Sequence, residues 1–166
     1  NIYCFDKNGK LRWKYNAGDA VVTSPLLDSK GFIYAGAING SFFCLNPEGI
    51  EQWTYQTEGS IESSPVMTKD NLIIFGSRDK NLYVLETSGK LVWKRNLGAE
   101  IDASAASDAE GNIYAATEKG EIHILTPKGK SIKTYKTKGP IFSSPAVYKG
   151  ICTVGSEDGK VYFVGK

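Results

Sequence analysis

The sequence predicts an all-β chain in which one four-stranded unit is used repeatedly, and three observations lead there. The same residues return every 40 positions, turn signals divide each period into four short segments, and those segments are rich in Ile, Val, Tyr, Phe and Thr without sustained helical periodicity. Gly9, Gly49, Gly89 and Gly129 lie 40 apart, and Trp13, Trp53 and Trp93 keep step with them, Lys133 standing in the fourth slot. Ser24-Pro25, Ser64-Pro65 and Ser144-Pro145 hold the same interval, with Ser104-Ala105 between the last two. Gly36, Gly76, Ala116 and Gly155 follow it until the last copy, where one residue is missing from the turn at 148–150. A deletion there leaves strand register intact, because a turn tolerates a change of length and a strand does not.

The elements follow in order. Residues 1–6 and 11–16 correspond to the third and fourth strands of a unit. The second unit reads as strand 21–27, turn Asp28-Ser29-Lys30-Gly31, strand 32–36, turn Asn39-Gly40, strand 42–45, turn Asn46-Pro47-Glu48-Gly49 and strand 51–56. Asn-Gly, Asp-Gly and Lys-Gly pairs suit tight antiparallel hairpins, since Gly supplies the positive φ. Two more units repeat this plan, and strands 141–147, 151–155 and 160–165 supply the first three of another. The whole chain, 1–166, is therefore one repeat region with units 1–16, 17–56, 57–96, 97–136 and 137–166. Seventeen strands would place over half the residues in sheet, far above the ordinary fraction, and the repeat outweighs that prior. A four-stranded antiparallel unit of about 40 residues is the signature of a β-propeller blade, about four of which are present. A parallel solenoid has shorter coils and lacks three hairpin turns per unit.

Within a blade the inner strand lies nearest the axis, where small side chains are required. Thr23, Ser63, Ala103 and Ser143, each beside Ser24, Ser64, Ser104 or Ser144, meet that demand. The following Pro, having no N–H, marks where pairing of the inner strand is expected to stop. The Trp of the fourth strand is expected to wedge between blades with its indole N–H on a neighbouring carbonyl.

The pattern Asp6 to Gly9 to Trp13, Asn46 to Gly49 to Trp53 and Glu86 to Gly89 to Trp93 resembles the tryptophan-docking repeat of the quinoprotein (PQQ-like) propeller superfamily. The resemblance covers the whole chain, the copy at Thr126, Gly129 and Lys133 lacking the Trp. The superfamily includes quinone-dependent dehydrogenases, the propeller lipoprotein of outer-membrane barrel assembly, and sensor or surface domains, usually with seven or eight blades. The resemblance thus implies a partial ring, or half of a ring completed by a homodimer. It also implies an extracytoplasmic location, periplasmic or cell-surface.

The dehydrogenases of that superfamily use adjacent cysteines against the quinone, a Ca²⁺ site and a catalytic Asp. Cys4, Cys44 and Cys152 are not adjacent, and each stands where other copies carry an apolar core residue. His123 occupies the slot of Tyr3, Phe43, Tyr83 and Tyr162, so it reads as a ring in a ring's place. No catalytic, cofactor-binding or metal-binding residue is assigned, and PQQ with calcium enters only if the chain is a fragment of such a dehydrogenase. The formal charge of +2, from 20 basic and 18 acidic side chains, argues against nucleic acid as a partner reached by bulk charge, and no apolar run approaches a membrane span.

Positions where the copies disagree are the candidates for a specific contact. The inner-strand slot holds Val22, Glu62, Asp102 and Phe142, placing two carboxylates at one depth in neighbouring blades, where they could hold a cation or basic ligand. The loop between second and third strands carries Arg78 and Lys80 where other copies have a Gly-containing turn. Glu62, Asp102, Arg78 and Lys80 therefore mark the expected ligand or partner face. The functional expectation is a non-catalytic binding scaffold whose rim loops and blade edges contact a protein partner or further blades. The competing readings are the dehydrogenase fragment, with its catalytic residues outside this chain, and a structural spacer in a larger surface or sensor protein.

Overall fold

The computed structural model describes residues 1–165; Lys166, the last residue of the expected fifth unit, lies outside the described residues. Among the described residues seventeen strands form five antiparallel sheets, each a run of consecutive strands. Blade 1 is represented by β1 (Ile2–Phe5) and β2 (Leu11–Tyr15). Blade 2 is β3 (Leu26–Leu27), β4 (Ile33–Gly36), β5 (Ser41–Leu45) and β6 (Glu51–Gln56). Blade 3 is β7 (Val66–Met67), β8 (Leu72–Gly76), β9 (Asn81–Glu86) and β10 (Leu91–Asn96). Blade 4 is β11 (Ala106–Ser107), β12 (Ile113–Ala116), β13 (Glu121–Leu125) and β14 (Ser131–Lys136). Blade 5 is β15 (Ala146–Tyr148), β16 (Ile151–Ser156) and β17 (Lys160–Gly165).

The inner strands differ from expectation. In blade 2 pairing does not cover 21–27 and stop at Pro25; it begins after Pro25, at Leu26 opposite Tyr34. The reason lies in the hydroxyl before the Ser-Pro pair. Thr23 Oγ1 donates to the Gly36 carbonyl at 3.1 Å and accepts from the Gly36 N–H at 3.2 Å, so a side chain does the work of a ladder rung. Ser143 makes the same two bonds with Gly155 at 2.8 and 2.9 Å, and Ser63 accepts from the Gly76 N–H at 2.8 Å. Three inner strands shrink to two residues and the fourth to three, and sheet content falls below half the chain.

The serines that follow link one blade to the next. The Ser24 N–H donates to Ser64 Oγ at 2.9 Å, Ser64 N–H to Ser104 Oγ at 3.0 Å, and Ser104 N–H to Ser144 Oγ at 3.1 Å. Smallness is thus one reason for Ser in this slot, and its oxygen is another.

The core sits between blades. Each sheet has a forward face and a backward face because successive side chains on a strand alternate. In blade 2, Tyr34, Phe42 and Cys44 point forward against Ile73, Phe75, Tyr83 and Leu85 of blade 3. Ile74, Leu82 and Val84 of blade 3 meet Ile113, Ala115 and Leu125 of blade 4. Ile122 and Ile124 of blade 4 meet Cys152, Val154 and Val164 of blade 5. Ile2, Trp13 and Tyr15 of blade 1 cover Ala35, Phe43 and Leu45 of blade 2. Burial pushes the thiols of Cys44 and Cys152 up to about 11, as befits cysteines in apolar packing.

Each docking tryptophan crosses one such seam. Trp13 Nε1 donates to the Pro47 carbonyl, Trp53 Nε1 to that of Thr87 and Trp93 Nε1 to that of Pro127, all at 3.0 Å. A β-bulge precedes each of them: Trp13 opposes Cys4 while Leu11 opposes Phe5, and Arg12 is the extra residue. The bulge turns the indole onto the turn of the next blade. At Gly49 the backbone φ is +79° and an added Cβ would lie 2.4 Å from Trp13, so both conformation and space demand glycine.

Candidate functional site

Three of the four residues expected to mark a contact face come together. The loop after each second strand is tied to the start of its own blade's inner segment: Arg78 N–H donates to the Ser60 carbonyl at 2.9 Å and Glu118 N–H to that of Glu100 at 3.0 Å. These bonds hold the loops of blades 3 and 4 beside Glu62 and Asp102. The Arg78 guanidinium forms a fork with Asp102, Nε to Oδ1 at 3.1 Å and Nη2 to Oδ2 at 2.6 Å. Glu62 Oε1 lies 3.0 Å from Nε, Glu118 Oε1 3.4 Å from Nη2 and Glu100 Oε2 3.8 Å from Nε. The cation between Glu62 and Asp102 is therefore Arg78 of this chain, and its role differs from that of a free rim contact.

One guanidinium faces four carboxylates, so the cluster keeps a surplus of negative charge. The surplus shows in protonation. A hydrogen bond with Asp102, then burial, then the charges of Asp102 and Glu100 raise the Glu118 carboxyl to about 7, against the opposing pull of Arg78. Near neutral pH the Glu118 carboxyl is therefore protonated part of the time. Arg78 is driven further onto its charged side, above all by its hydrogen bond to Asp102.

Lys80 stands apart from this cluster. It occupies the turn slot of Gly40, Gly120 and Gly159 and adopts their left-handed backbone, with φ of 73°. A side chain there costs about 1 kcal/mol against glycine. With Glu100, Glu118 and Lys119 it lines a shallow groove of about 260 Å³ beside Gly98.

Sequence reasoning missed Glu100 and Glu118. Glu118 lies one full repeat after Arg78, and Glu100 two residues before Asp102, so both were within reach of a comparison along the inner face. His123 sits on β13, where the aromatic rings of other blades sit, and is not among the Arg78 contacts. Burial lowers its pKa, Glu121 Oε2 lies 3.3 Å from Nε2, and Thr134 Oγ1 is 3.4 Å from Nδ1. Among the described residues no group of three or more His, Cys, Asp or Glu side chains is arranged to hold a metal ion. The quinone and Ca²⁺ of the dehydrogenases do not fit these residues either: Cys44 and Cys152 are enclosed in separate blade interfaces, and Arg78 stands among the carboxylates.

Four-stranded antiparallel blades, inter-blade cores and tryptophans docked across three of the four seams define a β-propeller arc of the PQQ-like repeat type. The chain belongs to the family whose model is that of outer membrane protein assembly factor BamB, which matches residues 78–165. The model of the lambda-carrageenase β-propeller domain matches residues 26–97. In solved structures, the chain is similar to BamB from Moraxella catarrhalis, at 21% identity and a TM-score of 0.78 over 95% of this chain and 50% of that one. It is similar also to the computationally designed Ika4 protein, at 16% identity and a TM-score of 0.79 over 90% of this chain and 93% of that one. The chain thus spans half the length of the BamB chain it matches. No curated protein matches it in sequence.

Proposed function

We propose that the chain is a non-catalytic propeller module that binds a basic segment of a protein partner across the face carrying Glu62, Glu100, Asp102 and Glu118, in an extracytoplasmic compartment. The observation that carries the reading is the four-to-one ratio of carboxylates to Arg78: the face holds its own counterion and still has negative charge to offer. Lys80, kept in a strained backbone beside the groove, disfavours a second cationic contact on its side and so gives the face a direction. Membership in the family of an outer membrane assembly factor supports a binding role and an exported location.

A lysine-rich peptide labelled for fluorescence anisotropy tests it. Binding is expected to weaken steeply from low to high salt and to fall at least about tenfold in the combined Glu62→Gln, Asp102→Asn, Glu118→Gln variant. Equal affinity of variant and parent would overturn the reading. Addition of the quinone with Ca²⁺ checks the dehydrogenase alternative, which requires a bound chromophore and dye reduction by alcohols or sugars.

A further inference from the structure

At each seam a residue from the fourth strand of one blade meets a residue from the third strand of the next. Tyr15 packs on Phe43 with ring centroids 5.0 Å apart, Tyr55 on Tyr83 at 5.7 Å, and Tyr135 and Tyr162 both pack against the core between blades 4 and 5. Between blades 3 and 4 the same two slots hold Arg95 and His123. Arg95 crosses that seam, its Nη1 donating to the Gly129 carbonyl at 2.7 Å. Both blades are complete four-stranded sheets, so this replacement of two rings by two basic side chains belongs to the interior of the arc.

The charges around the imidazole are mostly positive. On its own strand, β13, Glu121 Oε2 lies 3.3 Å from Nε2, and the other Glu121 oxygen is 4.0 Å from Lys136 Nζ on β14. β14 also supplies Thr134, whose Oγ1 is 3.4 Å from Nδ1, and β12 places the uncharged Ala115 opposite. From blade 3 the facing charge is that of Arg95. In the turn before β13, Lys119 occupies the slot of Asp79 and Asp158, whose carboxylates accept from the hydroxyls of Tyr83 and Tyr162 in their own blades. Blade 4 has thus changed both members of that pair: the phenol is an imidazole and the carboxylate an ammonium, which donates to the Gly98 carbonyl at 3.4 Å. Glu121 therefore stands alone against Arg95, Lys119 and Lys136 before His123 takes up a proton. The His123 side chain is 12% exposed, and its Nε2 is closed to water and makes no hydrogen bond.

We infer that the seam between blades 3 and 4 is an acid-sensitive joint: protonation of His123 puts a further cation beside Arg95 inside the seam and weakens the contact between these two blades, while the seams with rings in both slots do not respond. A buried imidazolium has lost hydration and faces a like charge, and both effects favour the neutral ring in the folded chain. Burial lowers the pKa of His123, Glu121 opposes the lowering and Arg95 adds to it. In the unfolded chain the imidazole is an ordinary one, titrating near about 6.5. The neutral ring therefore contributes stability that is complete above that value and is lost as pH falls below it. The fork from Arg78 to Asp102 bridges the same two blades, yet the inference does not depend on what the acidic face binds.

His123 is the only histidine of the sequence, so its Cε1–H resonance in proton NMR reports the ring directly. The resonance is expected to titrate clearly below about 6.5 in the folded chain, and to move back towards that value in Arg95→Gln, which keeps a donor for Gly129 and removes the charge. In urea unfolding, the folded-to-unfolded ratio of the parent is expected to fall from pH 7.5 to pH 5.5 by about three- to tenfold more than that of His123→Phe. Phenylalanine is the residue that blade 2 carries in this slot, and Glu118 is present in both chains, so its own titration cancels. Amide hydrogen exchange, corrected for its intrinsic pH dependence, locates the effect: β10, β13 and β14 are expected to lose protection at pH 5.5 relative to β5 and β6. A histidine that titrates at or above about 6.5 overturns the proposal, as do parallel stability curves for parent and variant, or a loss of protection spread equally over the seams. If His123→Phe does not fold at pH 7.5, the titration and exchange of the parent decide.

Discussion

The seam between blades 2 and 3 and the seam between blades 4 and 5 are built on the same slots with different fillings. In the first, Phe42 stacks on Phe75 with ring centroids 4.0 Å apart, Phe75 on Tyr83 at 5.2 Å, and Trp53 closes over Tyr34 at 5.9 Å. In the second, Ile122, Ile124, Cys152, Val154 and Val164 pack around the single fully buried ring of Tyr114, with Tyr135 and Tyr162 half-buried at the margin, and Lys133 holds the docking slot, its Nζ 4.8 Å from the Tyr135 ring centroid. What recurs is the geometry of the site, not its chemistry: a β-strand face asks for apolar volume and leaves the choice of shape to the neighbour. The first seam concentrates its packing in stacked rings, and the second surrounds Tyr114 with smaller aliphatic side chains.

Four substitutions would break or sharpen that contrast. The largest effect is expected from Phe75→Ala, at about 3–5 kcal/mol in denaturant unfolding, since it removes the middle ring of the stack. The equivalent change in the other seam, Val154→Ala, should cost clearly less, and equal losses would show that the stack adds nothing beyond volume. Next comes Trp53→Ala, expected to cost about 2–3 kcal/mol by losing both indole packing and the hydrogen bond to Thr87.

Glu118→Gln should act with the opposite sign. Its carboxyl is raised in the folded chain to about 7 from 4.5, so its ionisation opposes folding. The stability associated with the neutral form is complete below the unfolded value and is lost as pH rises through about 7. The variant should therefore be more stable than the parent at pH 8, by on the order of 1–2 kcal/mol, and nearly equal to it at pH 4. A difference that does not change with pH would refute this assignment.

Much of the fold was legible in the sequence because the repeat states each strand several times. The grouping of β1 with β2, of three complete blades, and of β15 to β17 follows from the spacing of Gly, Ser-Pro and Trp. The short inner strands were not legible, because Thr23 and Ser143 look merely small in a sequence while in the structure their hydroxyls take over backbone pairing at Gly36 and Gly155. The bulges before Trp13, Trp53 and Trp93 were hidden for a similar reason: an extra residue such as Arg12 leaves no mark on composition. The acidic face was half legible. Glu62, Asp102 and Arg78 stood out as departures from the repeat, whereas the convergence of Glu100 and Glu118 on the same guanidinium depends on loop placement by backbone bonds to Ser60 and Glu100.

The serine ladder at the inner end of the blades has one further consequence. From Ser24 to Ser144 the blades are joined by single hydrogen bonds of 2.9 to 3.1 Å, all running in the same direction along the chain. The second strands, further from the hub, are meanwhile held apart by side chains as different as Phe75 and Ala115. A wheel whose spokes are spaced at the hub keeps its angular step whatever is fitted between them at the rim. Such a hub lets the seams vary freely in composition while the number of spokes per turn stays constant.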